Sequence, residues 1–167
     1  MKIPQELIDQ FARGNGAIFV GAGLSVGAGL PGWEQLMERL AGELSDHPKP
    51  ASYLDLAQYY VNEYKKNRLI NRLRDELDTS GVEPTSVHKA IVQLEISPIF
   101  TTNYDSLIER SLLNASVRFD KVISEIDSNF WTNERTQVVK LHGDLDHPNS
   151  IVITSETTSQ TDETCYD

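Results

Sequence analysis

The sequence predicts an α/β fold built on a mainly parallel sheet. Two short apolar runs, at residues 17–20 and 96–100, are typical of strands that are buried on both faces of a sheet. Three further strand candidates follow at residues 117–123, 137–143 and 150–154. Helical patterns separate most of these runs, and alternation of strands with helices is typical of a parallel sheet.

The helical segments are predicted from apolar residues at a spacing of three and four. A first helix is expected over residues 4–13, where the "RGNG" sequence ends it. The pattern between residues 34 and 77 predicts about three helices without an intervening strand, so a small helical module (about residues 34–85) is inserted between the first two strands. Shorter helices are expected around residues 87–94 and 106–113.

Composition limits the classes of function. Among the 167 residues 39% are hydrophobic and 24% are charged, which are values of one globular domain. The net charge of −10 argues against direct nucleic-acid binding, which needs clustered Lys and Arg. The sequence has neither a membrane-length apolar run nor a secretory leader, so we expect a cytoplasmic protein. With Cys165 as the single cysteine, neither an internal disulfide nor a thiolate-rich zinc site is expected, and no metal is predicted.

The last thirteen residues, "SETTSQTDETCYD", differ from the rest of the chain. They contain four acidic residues and no basic one, which predicts a disordered acidic tail over residues 155–167. We therefore expect one domain over residues 1–154.

The first strand ends in the glycine-rich sequence "VGAGLS". Gly21 and Gly23 allow a tight turn and the close approach of a ligand, and the N-terminus of a following helix favours phosphate. Val26 stands where the third glycine of a dehydrogenase fingerprint belongs, so hydride transfer is not indicated. A turn that serves packing alone is the alternative interpretation.

The second strand ends in "TTNYD". Asn103 offers a donor and an acceptor, and Asp105 offers a carboxylate, at the edge of the sheet where α/β proteins bind ligands. The alternative is that either side chain caps the helix that follows.

The third strand of this kind ends in "KLHGD". His142 lies where this strand stops, and a neutral imidazole there is suited to general-base catalysis near pH 7. A histidine held by local hydrogen bonds is the alternative. The other three histidines are not expected to do chemistry, because His47 and His147 lie beside prolines and His88 lies at a helix start.

Together, "GAGLSVGAGLPGW", "TTNYD" and "KLHG" resemble the ordered motifs of the SIR2-like (sirtuin-like) NAD-binding domain. The resemblance spans roughly residues 17–154 and is nearest to the bacterial SIR2-like proteins of antiphage defence. It implies a Rossmann-like domain that binds NAD as a substrate without reducing it. By this resemblance the residues that bind NAD would be Gly21, Ala22, Gly23, Ser25, Pro31, Trp33, Thr102 and Asp105.

The resemblance also implies the chemistry. Asn103 and His142 would be the catalytic pair at the nicotinamide ribose, with Asn103 positioning water, His142 acting as the base and Asp105 holding the carboxamide. The expected activity is cleavage of the nicotinamide–ribose bond, that is, an NAD hydrolase that depletes NAD in antiphage defence. A sensor or effector protein, or a second copy of the chain, is the expected partner.

The resemblance also leaves other functions open, of which an NAD-dependent protein deacylase is the least consistent with the sequence. Protein deacylases of the family carry a four-cysteine zinc module after the "HG" strand, and the sequence has no counterpart. A catalytically inactive module that binds NAD or ADP-ribose, or a subunit of a larger assembly, is the main alternative. The family's ribose loop and adenine-side segment are not recognisable after residue 154, so the domain is expected to be incomplete at its C-terminal end.

Overall fold

The computed structural model describes residues 2–45, 49–129, 131–132 and 134–154. The predicted tail over residues 155–167, and His47, lie outside the described residues. Four strands form one sheet. They are β1 (Ile18–Val20), β2 (Ile99–Thr101), β3 (Phe119–Val122) and β4 (Thr136–Lys140).

The sheet is parallel throughout and has the order β1-β2-β4-β3. Ile18 pairs with Ile99 and Ile99 with Val138, so the apolar run of each central strand lies beside that of its neighbour. The predicted α/β fold with a parallel, Rossmann-like sheet is confirmed. Because β1, β2 and β4 are adjacent, the three loops that follow them begin at the same edge.

Helices connect or precede these strands. They are α1 (Gln5–Ala12), α2 (Gly23–Val26), α3 (Trp33–Ala41), α4 (Tyr53–Tyr64), α5 (Lys66–Glu76), α6 (Ser86–Gln93), α7 (Leu107–Asn114) and α8 (Glu125–Ser128). Three of them, α3 to α5, fill the stretch for which the sequence predicted three helices without a strand. The short helices α2 and α8 were not predicted as separate elements.

The predicted strand over residues 150–154 is wrong. Residues Pro148–Ser150 form a single 3₁₀ turn, and residues 151–154 pair with no strand in the described ranges. Ile151 and Ile153 are buried while Val152 is only partly covered, which gives the alternation of a strand. The Val152 N–H instead bonds to the carbonyl of His142 at 3.0 Å, so the segment packs beneath the loop that follows β4.

Two apolar clusters hold the elements together. One lies between the sheet and helices α6 and α7, around Val20, Ile99 and Val138. The other is the core of the helical module, and it also takes in Tyr104 and the pair Ile151 and Ile153. This second cluster packs the helices against the loops that follow β2 and β4, and so covers the carboxyl ends of these strands. No helix in the described ranges is long and apolar enough to cross a bilayer.

Candidate active site

Three loops meet at the carboxyl end of the sheet. Backbone bonds hold their starting points, because Thr102 N–H donates to the carbonyl of Val20 at 3.2 Å and Leu141 N–H donates to that of Thr101 at 2.8 Å. The loops enclose a cavity of about 290 Å³. Open α/β sheets bind their ligands at this edge, so the cavity is the candidate site.

Eight of the ten residues proposed from the sequence line this cavity. They are Ala22, Ser25, Pro31, Trp33, Thr102, Asn103, Asp105 and His142. The other two do not line the cavity: Gly21 lies in the first loop and Gly23 is the first residue of α2.

The two glycines do not need a left-handed backbone. Positive φ occurs among the described glycines at Gly14, Gly29 and Gly143 only. A Cβ placed on Gly23 would have no neighbour within 4 Å, and one on Gly21 would meet Thr102 Oγ1 at an ordinary 3.8 Å. Contacts within the chain therefore do not require glycine at Gly21 or Gly23. That a ligand approaches the backbone closely at these two positions stays a prediction.

A buried chain of hydrogen bonds joins the first loop to the second. Ser25 Oγ donates to Asp105 Oδ2 at 2.7 Å, and Asn103 Nδ2 donates to Ser25 Oγ at 3.1 Å. All three residues are at most 7% exposed. Because the serine proton is committed to the carboxylate, the serine oxygen is left to accept, which fixes the amide of Asn103 with its nitrogen toward Ser25.

The fixed orientation leaves Asn103 Oδ1 without a partner. This oxygen is buried, and no hydrogen bond reaches it from any residue that the structure describes. A buried acceptor that lacks its bond costs about 1–3 kcal/mol. A ligand hydroxyl or a water that donated to this oxygen would recover that free energy.

Asp105 also has the capping role that the sequence left open. Its Oδ1 accepts the backbone N–H of Leu107 at 3.0 Å, at the first residue of α7. Capping and the contact with Ser25 use different oxygens of the same carboxylate, so they do not compete. The side chain of Asn103, by contrast, caps no helix.

His142 lies at the mouth of the cavity, two residues beyond β4. Desolvation on the side that faces the protein lowers the pKa of its imidazole. The ring lies 6.4 Å from that of Tyr104, measured between ring centroids, and forms no hydrogen bond with a described residue. The alternative of a histidine held by local hydrogen bonds is thus not supported. A neutral imidazole with a free nitrogen is able to accept a proton.

The sequence reasoning missed the apolar wall of the cavity. Leu30, Leu36, Leu77 and Tyr104 complete the lining. Tyr104 is 6% exposed, its hydroxyl donates to the carbonyl of Val152 at 2.7 Å, and burial raises its pKa. Its place between Asn103 and Asp105 in "TTNYD" was the available signal, because an aromatic residue at a strand end often forms the wall of a ligand site.

Metal-binding side chains do not gather at this site. In the part of the chain that the structure describes, no group of three or more His, Cys, Asp or Glu residues is placed to hold a metal ion.

Fold and site together define an α/β protein with a ligand cavity at the carboxyl edge of a parallel sheet. The model of the SIR2-like domain family matches residues 97–164. The chain is 41% identical over 153 residues to the "NAD(+) hydrolase ThsA" of Acinetobacter baumannii (strain 532279) and 38% identical over 142 residues to that of Bacillus cereus (strain MSX-D12). "Defense-associated sirtuin 2" of Bacillus subtilis is 28% identical over 147 residues.

These alignments cover most of the chain but a minor part of each relative. They include 90%, 83% and 84% of the chain, and 32%, 30% and 14% of the respective relatives. The chain thus spans about a third of the length of the NAD(+) hydrolases that it matches. The resemblance found in the three motifs is confirmed, because residues 97–164 match the SIR2-like domain and the similar relatives include NAD(+) hydrolases and a defence-associated sirtuin.

Proposed function

We propose that the cavity binds the nicotinamide and ribose portion of NAD and that the chain takes part in hydrolysis of the bond between them. The observation that carries the proposal is the meeting of Asn103, Asp105 and His142, from two separate strand ends, around one cavity of about 290 Å³. The relatives described as NAD(+) hydrolases support the same activity.

Each polar group has a distinct part in the proposed reaction. Asp105, already held by Ser25 and Leu107, would accept from the carboxamide of nicotinamide, and Asn103 Oδ1 would accept from a ribose hydroxyl or from the attacking water. Water would add to C1′ of the ribose, nicotinamide would leave, and the proton of the water would pass to His142. Hydrogen bonds to the sugar strengthen as positive charge develops in such a transition state.

The apolar wall has a part as well. Trp33 and Tyr104 both line the cavity, and their rings form a tilted pair with centroids 6.5 Å apart. A flat aromatic leaving group such as nicotinamide fits against aromatic and aliphatic side chains. Exclusion of water by this wall would strengthen the polar contacts of Asp105 and Asn103.

The test is to incubate the purified chain with NAD, follow nicotinamide release by chromatography, and measure NAD binding by calorimetry. Asn103→Ala and His142→Ala should each lower the rate of release by about 10²–10⁴-fold without a loss of folded protein. Matched controls are Asn114→Ala and His147→Ala, because both residues are exposed and lie outside the cavity.

The outcomes separate the candidate functions. Release that depends on Asn103 and His142 supports hydrolysis. Binding without release would replace the hydrolase by a module that only binds NAD or ADP-ribose, and full activity in either variant would remove that residue from the catalytic assignment. The domain limits of residues 1–154, a cytoplasmic location and a sensor, effector or second copy as partner remain predictions.

A further inference from the structure

A buried lysine lies directly behind the proposed site. Lys140 is the last residue of β4 and is 2% exposed. Its ammonium donates to the backbone carbonyl of Asp105 at 2.7 Å and to Glu109 Oε1 at 3.1 Å. A charged group with so little exposure persists only when its bonds replace those that water would make.

The lysine belongs to a line of alternating charges. Asp144 Oδ2 lies 4.0 Å from the nitrogen of Lys140 and accepts from Lys121 at 2.8 Å. The second oxygen of Glu109 is buried without a partner among the described residues. Buried ion pairs of this kind are often no more stabilising than apolar side chains of the same volume, because desolvation offsets the attraction. Stability alone is therefore a weak reason for a lysine at this position.

The contacts of Lys140 indicate a different reason. Its backbone ends β4 two residues before His142, while its ammonium holds the carbonyl of Asp105 in the loop after β2. Glu109, in the first turn of α7, fixes the ammonium from a third element. The lysine thus connects the two strand ends that carry the polar groups of the cavity.

Asp105 is consequently held at three atoms. The Ser25 hydroxyl donates to Oδ2 of the Asp105 side chain and the Leu107 backbone N–H donates to Oδ1, whereas the Lys140 ammonium donates to the Asp105 backbone carbonyl. The bond from Ser25 ties the carboxylate to α2, in the segment after β1, and the bond from Leu107 ties it to the start of α7. Among these three bonds, only that of Lys140 ties the loop to the strand that leads to His142.

We propose that Lys140 is a positioning residue that sets the separation between Asp105 and His142 across the cavity. The expected effect on catalysis rests on the proposed function. The expected effect on the position of the Asp105 loop rests only on the three bonds to Asp105. A displacement of about 1 Å between reacting groups costs about 10²-fold in rate.

The experiment replaces the buried pair together, as Lys140→Met with Glu109→Gln, so that no carboxylate is left buried without its cation. Amide hydrogen exchange is measured by NMR at Leu107, whose N–H is bound to Asp105, and at Leu112, which is buried further along the same helix. We expect exchange at Leu107 to rise at least about tenfold relative to exchange at Leu112. Equal changes at the two amides, or none, would refute the positioning role.

Lys121→Met with Asp144→Asn is the matched control, because it also replaces a cation together with its buried carboxylate. Lys121 binds the same carboxylate, Asp144, but does not contact the Asp105 loop, so exchange at Leu107 should stay within about threefold of wild type. If the double variant does not fold, the same exchange measurement on Glu109→Gln alone tests the positioning role of Lys140. This substitution weakens the hold on the ammonium and should still raise exchange at Leu107 above that at Leu112, and the absence of such a rise would refute the proposal.

Kinetics give the second readout. In the double variant kcat for nicotinamide release should fall at least about tenfold with a smaller change in KM, because misplacement of reacting groups acts mainly on the chemical step. A wild-type kcat in the folded double variant would overturn the proposal. If the wild-type chain releases no nicotinamide, the proposed function fails, while the exchange measurement still decides the role of Lys140.

Discussion

Replacement of Gly143 by alanine tests how the turn after β4 places His142. Gly143 has a φ of +87° and follows His142 directly. A Cβ at this position would overlap the backbone carbonyl of Ser150, in the segment whose Val152 N–H bonds to the carbonyl of His142. Two costs therefore add at Gly143, namely the left-handed backbone and the steric overlap.

The chain offers a matched control for the first of these costs. Gly14 has a φ of +76°, and a Cβ there would have no neighbour within 4 Å. Gly14→Ala should cost about 1 kcal/mol for the left-handed conformation alone. Overpacking adds about 1–3 kcal/mol, so Gly143→Ala should cost about 2–4 kcal/mol.

The assay is thermal unfolding followed by circular dichroism. A loss of 1 kcal/mol lowers Tm by about 2–4 °C in a protein of this size. Gly14→Ala should therefore lower Tm by about 2–4 °C, and Gly143→Ala by about 4–16 °C with a loss of nicotinamide release. Equal shifts in the two variants would show that Ser150 does not confine Gly143, and the account of the turn would be wrong.

The remaining predictions concern pH and metal ions. Burial lowers the pKa of His88, and the charge of Asp105 opposes this shift. At pH values between the lowered pKa and about 6.5, the unfolded chain therefore binds more protons than the folded chain. The free energy of unfolding consequently falls as the pH falls through this range. His88→Gln keeps the capping arrangement with Thr85 and should lessen the decrease of Tm between pH 7 and pH 5. An unchanged dependence of Tm on pH would contradict this expectation. His147→Gln is the control, because His147 is exposed. A chelator should alter neither Tm nor nicotinamide release, and elemental analysis that found a stoichiometric metal would refute that expectation.

The strands that carry the site could be predicted because their signals are local. Continuous apolar runs such as residues 17–20 identify strands, and alternation with helices implies a parallel sheet. The expected burial of β1 on both faces is wrong, because β1 lies at the edge of the sheet and Phe19 is 73% exposed. In a parallel sheet the carboxyl ends of all strands lie on the same side, so the placement of Asn103 and His142 on one side of the sheet could be predicted. The order β1-β2-β4-β3 could not, since no local pattern specifies which strands are neighbours.

The errors and omissions depend on contacts between distant residues. Ile151 and Ile153 alternate like a strand, but their burial comes from the helical module and not from a sheet. Lys140 is the last residue of β4, and a lone lysine at the end of a strand is normally assigned to solvent. Only the position of Glu109 and of the Asp105 carbonyl shows why the charge is buried.

The bond between Ser25 and Asp105 joins residues that are 80 positions apart in the chain. Bringing the ends of so long a segment together lowers the conformational entropy of the chain. This cost arises before the pairing of β1 with β2 can stabilise the structure. Helices α3 to α5 reduce the effective length of the segment, because they form from contacts between neighbours in sequence. A binding cavity built across this closure cannot exist in a fragment that retains only the helices. Its appearance during refolding would therefore report completion of the sheet, and Trp33 in its wall supplies a fluorescent probe of that event.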